Sequence, residues 1–310
     1  MARRACVRAA RRGALAGFVI VSASYRTDIP AFYGEWFINR LRAGFCRYNN
    51  PYNSQVCTVS LARADVDGFV FWTKNAGPFL PRFAEVRERG FPFTVQYTIN
   101  GYPRALEHSV VDAAKSVEHA RRIADEYGPR VVVWRYDTIV HSSLTSHEFH
   151  VANFERLATA LAGVTDEVVV SFAQIYRKSR INMDAAARLY DFTWSDPEQN
   201  KKASLAGELA DIARTHDMRF TVCSQRVFLE PGRIEDARCI DADRLAAVAG
   251  YPIRGALRGN RPECGCHESR DIGEYDTCPH GCVYCYAVRN RALAQRRYRA
   301  HDANSEFLFA

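Results

Sequence analysis

The sequence lacks an apolar run long enough to cross a bilayer, which takes about 20 residues. The run GALAGFVIVSA at residues 13–23 is too short for that purpose. The chain also lacks an internal repeat and a low-complexity linker. These absences predict a cytoplasmic protein without a membrane partner, folded as one domain over residues 17–310.

Acidic residues are missing from the first 17 positions, which hold five arginines. The segment is Arg-rich like a transit peptide, but it is short and lacks serine enrichment, so we expect residues 1–16 to be a disordered basic extension. Five more arginines lie at 289–299, and subtracting these ten charges from the formal net charge of +7 leaves −3 for the rest. The body of the protein therefore has no general basic field for binding a phosphate backbone.

Short apolar runs alternate with longer amphipathic stretches from residue 17 onward. With 47% hydrophobic residues the chain has ample material for a core. Near-continuous apolar runs are typical of parallel strands buried on both faces. The predicted strands are Phe18–Ser22, Phe69–Thr73, Phe93–Ile99, Val131–Tyr136, Val168–Phe172 and Phe220–Cys223, and the predicted helices cover 31–43, 78–89, 110–127, 146–162, 199–215 and 241–249.

Six strand-helix units, with a seventh strand, loop and helix around the last cysteines, predict an α/β fold. We expect a single TIM-like (β/α) parallel barrel, partial or circularly permuted, with a C-terminal cysteine-rich loop. A doubly wound open sheet is the alternative. Residues 44–66 are expected to form a loop or strand excursion, and residues 174–198 a polar insertion.

Polar residues follow every predicted strand, and in such folds the active site collects at the carboxyl ends of the strands. Arg135 and Asp137 lie two apart on one strand and point the same way, although a structural ion pair would look the same. Lys74 and Arg135 suit a carboxylate or phosphate. We therefore take Lys74, Arg135 and Asp137 as candidate catalytic residues, and Asp28 and Ser171 as candidate cofactor-binding residues.

Ten cysteines are present, and five of them fall within 22 residues. Clustered thiols in a reducing compartment more often hold a metal than form disulfides. Cys278, Cys282 and Cys285 have the spacing C-x3-C-x2-C, whereas Cys264 and Cys266 form a separate C-x-C pair. Zinc, which takes four ligands, and an iron–sulfur cluster both remain open on these residues alone. The other cysteines, Cys46, Cys57, Cys223 and Cys239 among them, are scattered and are expected to be small buried hydrophobes.

The stretch CPHGCVYCYA, residues 278–287, resembles the signature of the radical S-adenosylmethionine (SAM) superfamily, in its spore photoproduct lyase-like branch. The resemblance implies that Cys278, Cys282 and Cys285 hold a [4Fe–4S] cluster with one open iron for SAM. Cleavage of SAM there yields a 5′-deoxyadenosyl radical that abstracts hydrogen from a substrate. It further implies that Tyr284 packs near the adenine, and that a flavodoxin- or ferredoxin-like protein supplies the electron.

Such triplets usually follow the first strand, whereas this one follows the last. Circular permutation explains the position, because the first and last strands of a nearly closed barrel are neighbours. SASYRTDIPAFYGEW and FWTKN, at 22–36 and 71–75, resemble later elements of the same branch in preserved order. The substrate, whether a small molecule or a nucleic acid, is not indicated.

A longer resemblance, over about residues 18–290, is to the bacterial family known as domain of unknown function 1848 (DUF1848). It is carried by VSASYRTDIPAFYGEWFINRLRAG, VFWTKN, WRYDTI, VVSFAQIY and CGCHESRDIGEYDTCPHGCVYCYA. Thr138 stands where a proline would be expected after Arg-Tyr-Asp.

Two questions stay open on the residues alone. Cys264 and Cys266 either bind an auxiliary metal with help from His267, act as a redox pair, or brace the loop before the triplet. The alternative to a radical SAM enzyme is a zinc- or iron–sulfur-braced protein that binds or repairs nucleic acid through its two arginine-rich ends.

Overall fold

The computed structural model of the protein describes residues 19–51, 53–259 and 261–309. The predicted basic extension at 1–16, and Phe18 of the first predicted strand, lie outside the described residues.

Eight strands form one parallel sheet that dominates the fold. In chain order they are β1 (Val19–Ala23), β2 (Val66–Thr73), β3 (Phe93–Thr98), β4 (Val132–Ile139), β5 (Glu167–Phe172), β6 (Arg219–Val222), β7 (Glu235–Asp236) and β8 (Ser269–Asp271). Their order across the sheet is β7-β6-β5-β4-β3-β2-β1-β8, and every neighbouring pair is parallel. The sheet thus follows chain order, except that the last strand lies beside the first.

All six predicted strands are present, with ends shifted by a few residues. Within the described residues, β7 and β8 form the two edges of the sheet. Parallel strands with intervening helices confirm the predicted α/β class, and closure into a barrel stays a prediction.

The helices are named in chain order. They are α1 (Ile29–Phe32), α2 (Gly34–Ala43), α3 (Leu80–Glu88), α4 (Ala113–Tyr127), α5 (His147–Leu161), α6 (Arg177–Tyr190), α7 (Gln199–Thr215), α8 (Ala242–Ala249) and α9 (Arg291–Arg299). Several helices are capped at their N-termini by a side chain that accepts a hydrogen bond from a backbone N–H, as at Asp28, Ser146 and Asn290. Such caps satisfy donors that the first helical turn leaves without partners.

Alternation along the strands produces two apolar faces. Phe69 and Phe71 of β2 pack with helix residues such as Phe37 and Phe83 in the larger core. Val70, between them, joins a smaller core on the opposite face together with residues of β1, β4 and β5. Because both faces are covered, the strands are apolar almost throughout, as parallel strands should be.

Helix α8 covers part of the second face. Its residues Ala242 and Leu245 belong to the smaller core, and the buried Arg244 forms ion pairs of 2.7 Å with Asp166 and Glu167 at the start of β5. This helix therefore packs at the amino end of the sheet and leaves the carboxyl end of that face to loops.

The two segments predicted to depart from the strand-helix pattern, 44–66 and 174–198, contain regular secondary structure. Residues 44–66 contain an antiparallel hairpin of Phe45–Asn49 and Val56–Ser60, in line with the expected excursion. Residues 174–198, predicted as a polar insertion, contain the 14-residue helix α6 and a short strand, Trp194–Ser195. In the part of the chain that is described, no helix is both long and apolar enough to cross a membrane.

Candidate functional site

The loop with the cysteine triplet follows β8 at the carboxyl edge of the sheet. Strand β8 pairs with β1 in the register Ile20–Ser269 to Ser22–Asp271. The Asp271 carboxylate accepts hydrogen bonds from Ser22 Oγ at 2.8 Å and Ser24 Oγ at 2.6 Å, and from Arg26 Nε at 2.9 Å. The last strand is thereby tied to the first, and the triplet lies where a loop after β1 would also lie.

A second loop, after β3, holds the triplet from the other side. The backbone N–H of Val283 donates to Leu106 O at 3.0 Å, and that of Ser109 donates to His280 O at 2.8 Å. Gly281 has φ of +77°, and a Cβ there would lie 2.7 Å from the Arg291 side chain. The turn between the first two cysteines therefore requires glycine.

Cys278, Cys282 and Cys285 are free thiols, each partly exposed. Loss of water contact raises the pKa of all three. Repulsion from Cys285 raises it further at Cys278 and Cys282, so the three sulfurs share one region. Within the described residues, no three Cys, His, Asp or Glu side chains already surround a single point as a formed metal site.

The donor set nevertheless fits a group with three thiolate ligands. His280, which lies between Cys278 and Cys282, has both ring nitrogens directed at protein oxygens: its buried Nε2 lies 2.7 Å from Asp28 Oδ2, and its Nδ1 lies 3.5 Å from Ser109 O. Asp28 also caps α1 and accepts the Lys74 backbone N–H at 2.7 Å. The loop therefore offers three soft sulfur ligands and no fourth.

Lys74 and Glu107 form a buried ion pair beside the triplet. Lys74 Nζ lies 2.7 Å from Glu107 Oε1 and 3.1 Å from the hydroxyl of Tyr284, which itself donates to Glu107. Burial alone would lower the pKa of Lys74 and raise that of Glu107. Burial is the largest single effect, but the attraction between the two charges acts together with other neighbours, such as Asp137 for Lys74 and the hydrogen bonds from Tyr284 and Asn100 for Glu107. As a result the pKa of Lys74 is raised and that of Glu107 is lowered.

Arg135 and Asp137, which were expected to point the same way, form a second ion pair; Arg135 is buried and Asp137 is partly exposed. Arg135 Nη2 donates to Asp137 Oδ2 at 2.7 Å, and the guanidinium lies over the Trp72 ring at 5.0 Å from its centroid. Burial opposes the charge on each, yet the pair holds the pKa of Asp137 below its usual range and that of Arg135 well above. Ser171 Oγ donates to the other carboxylate oxygen, Asp137 Oδ1.

Asn100 connects the two ion pairs. Its Nδ2 donates to Glu107 Oε1 at 3.0 Å, and its Oδ1 accepts the Asp137 backbone N–H at 2.9 Å. One hydrogen-bonded network thus contains Lys74, Arg135, Asp137, Ser171 and Tyr284, and Asp28 contacts it through the Lys74 backbone. The structure brings the six predicted side chains to one region of the carboxyl edge.

Two residues of this network, Glu107 and His280, were not among the predicted site residues. Glu107 lies in the loop after β3, away from any strand end; the Leu-Glu at 106–107 resembles a feature of the photoproduct lyase-like branch, but it was not assigned a role. His280 was visible inside the triplet, but its pairing with Asp28 joins residues 252 positions apart.

The comparison with known families agrees with the resemblance to DUF1848 found in the sequence. Residues 20–287 match the family described as Domain of unknown function (DUF1848), so the chain belongs to that family. No curated protein matches the chain significantly.

Proposed function

We propose that this protein is a radical SAM-type enzyme with its cluster at Cys278, Cys282 and Cys285. The observation that carries the proposal is a loop of three thiols, without a fourth ligand, at the carboxyl edge of a parallel sheet and beside a buried polar network. A [4Fe–4S] cluster held there would leave one iron open for SAM and supply the electron that cleaves it.

The strand order supports the matching fold proposal. With β8 beside β1, the sheet has the sequential order of a (β/α) barrel whose remaining gap lies between β7 and β8. A loop after β8 occupies the position that a loop after the first strand would take in an unpermuted chain. We therefore propose a partial, circularly permuted barrel.

Lys74 is the residue we assign to binding a carboxylate. Its ammonium has three N–H donors, and two of them meet Glu107 and Tyr284 in the described residues. The third is available to an incoming anion, and Glu107 keeps the lysine charged. Tyr284 is buried and hydrogen-bonded to Glu107, so we assign it to positioning that pair rather than to stacking on adenine.

Asp137 is the residue we assign to accepting a hydrogen bond from a hydroxyl or amine group of a ligand. Arg135 donates twice to Oδ2 and Ser171 donates to Oδ1, so Oδ1 has a further lone pair for a ligand. The low pKa keeps it ionised near neutral pH. The substrate, a small molecule or a nucleic acid, and a flavodoxin- or ferredoxin-like reductant are further parts of this proposal.

The test begins with anaerobic purification, a visible spectrum and an iron count. We expect a brown protein with about four iron atoms per chain that forms 5′-deoxyadenosine from SAM when dithionite is added. Cys282→Ala should lose both the iron and the SAM cleavage. Cys46→Ala, at a buried cysteine of the hairpin, is the matched control and should keep both.

Two results would overturn the proposal. One is a wild-type protein that holds no iron after anaerobic reconstitution. The other is an iron content that Cys282→Ala leaves unchanged, since the metal would then lie elsewhere.

A further inference from the structure

Four cysteines lie in a row on the second face of the sheet, away from the triplet. Cys223 follows β6, Cys239 follows β7, and Cys264 and Cys266 precede β8. The sulfur atoms of Cys223 and Cys239 are 3.6 Å apart. Cys239 also contacts Cys266, and Cys266 contacts Cys264 through their side chains.

We propose a second metal site in this row, which holds one Zn²⁺ ion through four thiolate ligands: Cys223, Cys239, Cys264 and Cys266. In a tetrahedral site with zinc–sulfur bonds of about 2.3 Å, neighbouring sulfurs are about 3.8 Å apart. The observed 3.6 Å matches that spacing. A four-iron cluster would separate the sulfurs more widely, because each thiolate binds a different iron.

Two arginine side chains direct N–H donors at the sulfurs of the row. Arg135 Nη1 donates to Cys239 Sγ at 2.9 Å, and Arg261 Nη2 donates to Cys223 Sγ at 3.3 Å. Zinc with four thiolates carries a net charge of −2, which is costly to bury without compensation. Two guanidinium groups directed at the sulfurs offset part of that charge, as hydrogen-bond donors around metal ligands often do; Arg135 is shared with Asp137.

The segment that supplies the C-x-C pair is held by the backbone. Leu257 and His267 form an antiparallel bridge, and Arg258 N donates to Cys266 O at 2.9 Å. His267 also holds this segment, because its Nδ1 accepts the Ala242 backbone N–H at 3.1 Å. The row itself provides four cysteines, so the site needs no histidine ligand.

Binding would convert the present arrangement into a single coordination sphere. The four thiols now touch in sequence and do not converge on one point. Cys266, Cys239 and Cys223 are buried, whereas Cys264 is partly exposed, so Cys264 would turn inward as the ion enters. Four thiol protons would leave to solvent, and the ion would take four thiolates.

The experiment uses the full chain, expressed with zinc and iron in the medium, and counts both metals. We expect about one zinc per chain in the wild type. Cys239→Ala and Cys264→Ala should each lose it, whereas Cys46→Ala and Cys282→Ala should keep it. Cobalt added in place of zinc should give the sulfur-to-cobalt charge-transfer absorption of a tetrathiolate site, and Cys264→Ala should abolish that absorption.

Cys264→Ala keeps the test valid if Cys239→Ala fails to fold, because Cys264 lies at the partly exposed end of the row. Zinc that stays bound in a folded Cys264→Ala protein, or a wild-type chain without zinc, would overturn the proposal. Extra iron that is lost with Cys264 would also overturn it, in favour of a second cluster. The cluster proposal stands or falls separately, because its iron follows Cys282.

Discussion

Glu107 is the single side chain on which most of the candidate site depends. It accepts hydrogen bonds from Lys74, Tyr284 and Asn100, and its side chain is only 4% exposed. Removing one partner of a buried pair leaves the other charge uncompensated, which costs more than the intact pair contributes. Glu107 is therefore needed to keep the Lys74 ammonium charged in the interior.

Glu107→Gln keeps the shape and one acceptor oxygen for Lys74, Tyr284 and Asn100 but removes the charge. We expect the free energy of unfolding to fall by about 3 kcal/mol, measured by urea unfolding at pH 7. Lys74→Met should cost a similar amount. The double variant should lose less than the sum of the two, by about 1 kcal/mol or more, because neither charge is then left alone.

Strict additivity of the two substitutions would contradict this view of the pair. Lys115→Met with Glu118→Gln provides the comparison, because that pair is 2.7 Å apart but exposed, with side chains 52% and 65% accessible. Exposed pairs contribute little, so no comparable coupling is expected there.

Cys223 and Cys239 show why the site could be predicted only in part. Each is a lone cysteine in an apolar setting, and a lone buried cysteine is usually a small hydrophobe. Only the pairing of β6 with both β5 and β7 brings them together. By contrast, Lys74, Arg135 and Asp137 could be located from the sequence, because strand ends of a parallel sheet share one edge.

Strand β2 and helix α8 approach so closely at Gly68 that the packing of the second face depends on it. A Cβ at Gly68 would lie 2.5 Å from the carbonyl oxygen of Pro92 and 3.0 Å from Leu245 Cδ2. The first contact is with backbone, which cannot swing aside. A side chain there would therefore push β2 away from the start of β3, or push α8 off the sheet.

Gly68→Ala should lower the free energy of unfolding by about 2 kcal/mol or more, as overpacking does. Gly207→Ala in α7 is the matched control. The nearest atoms to its Cβ would be the Arg233 guanidinium, at 3.1 Å. This side-chain end is hydrogen-bonded to Asp211 and Glu230 but needs to move by only a few tenths of an ångström. Because alanine favours the helix, the control should be close to neutral. Equal effects of the two substitutions in urea unfolding would show that the close approach at Gly68 is not what matters.

Element prediction succeeded where length and pattern were strong and failed where they were weak. The six predicted strands are four to eight residues long, and apolar periodicity identifies such segments well. Strand β7 has two residues, and neither Glu235 nor Asp236 favours a strand. It forms because β6 offers an open edge. Helix α6 was missed because its sequence is polar, with few apolar residues facing the core.

The segment after α9 is hydrogen-bonded to α2 and to the hairpin, and these contacts help to place the triplet loop. Beyond α9, the carbonyls of Ala303, Asn304 and Ser305 accept hydrogen bonds of 3.0–3.1 Å from side chains of α2. Arg47 N of the hairpin donates to Glu306 O at 2.8 Å. The segment after β8 is thus fastened to the unit after β1 at a point separate from the β1–β8 pairing.

Removal of residues 303–310 should therefore destabilise more than an exposed tail would. Four hydrogen bonds at about 1 kcal/mol each are lost, together with the burial of Leu308, which is 1% exposed. We expect the free energy of unfolding to fall by at least about 4 kcal/mol, and Leu308→Ala alone to cost about 3 kcal/mol. Glu306→Ala removes only an exposed ion pair with Arg47 and should change stability by about 0.5 kcal/mol or less. A truncated chain as stable as Glu306→Ala would mean that the β1–β8 pairing holds the two ends together without the tail.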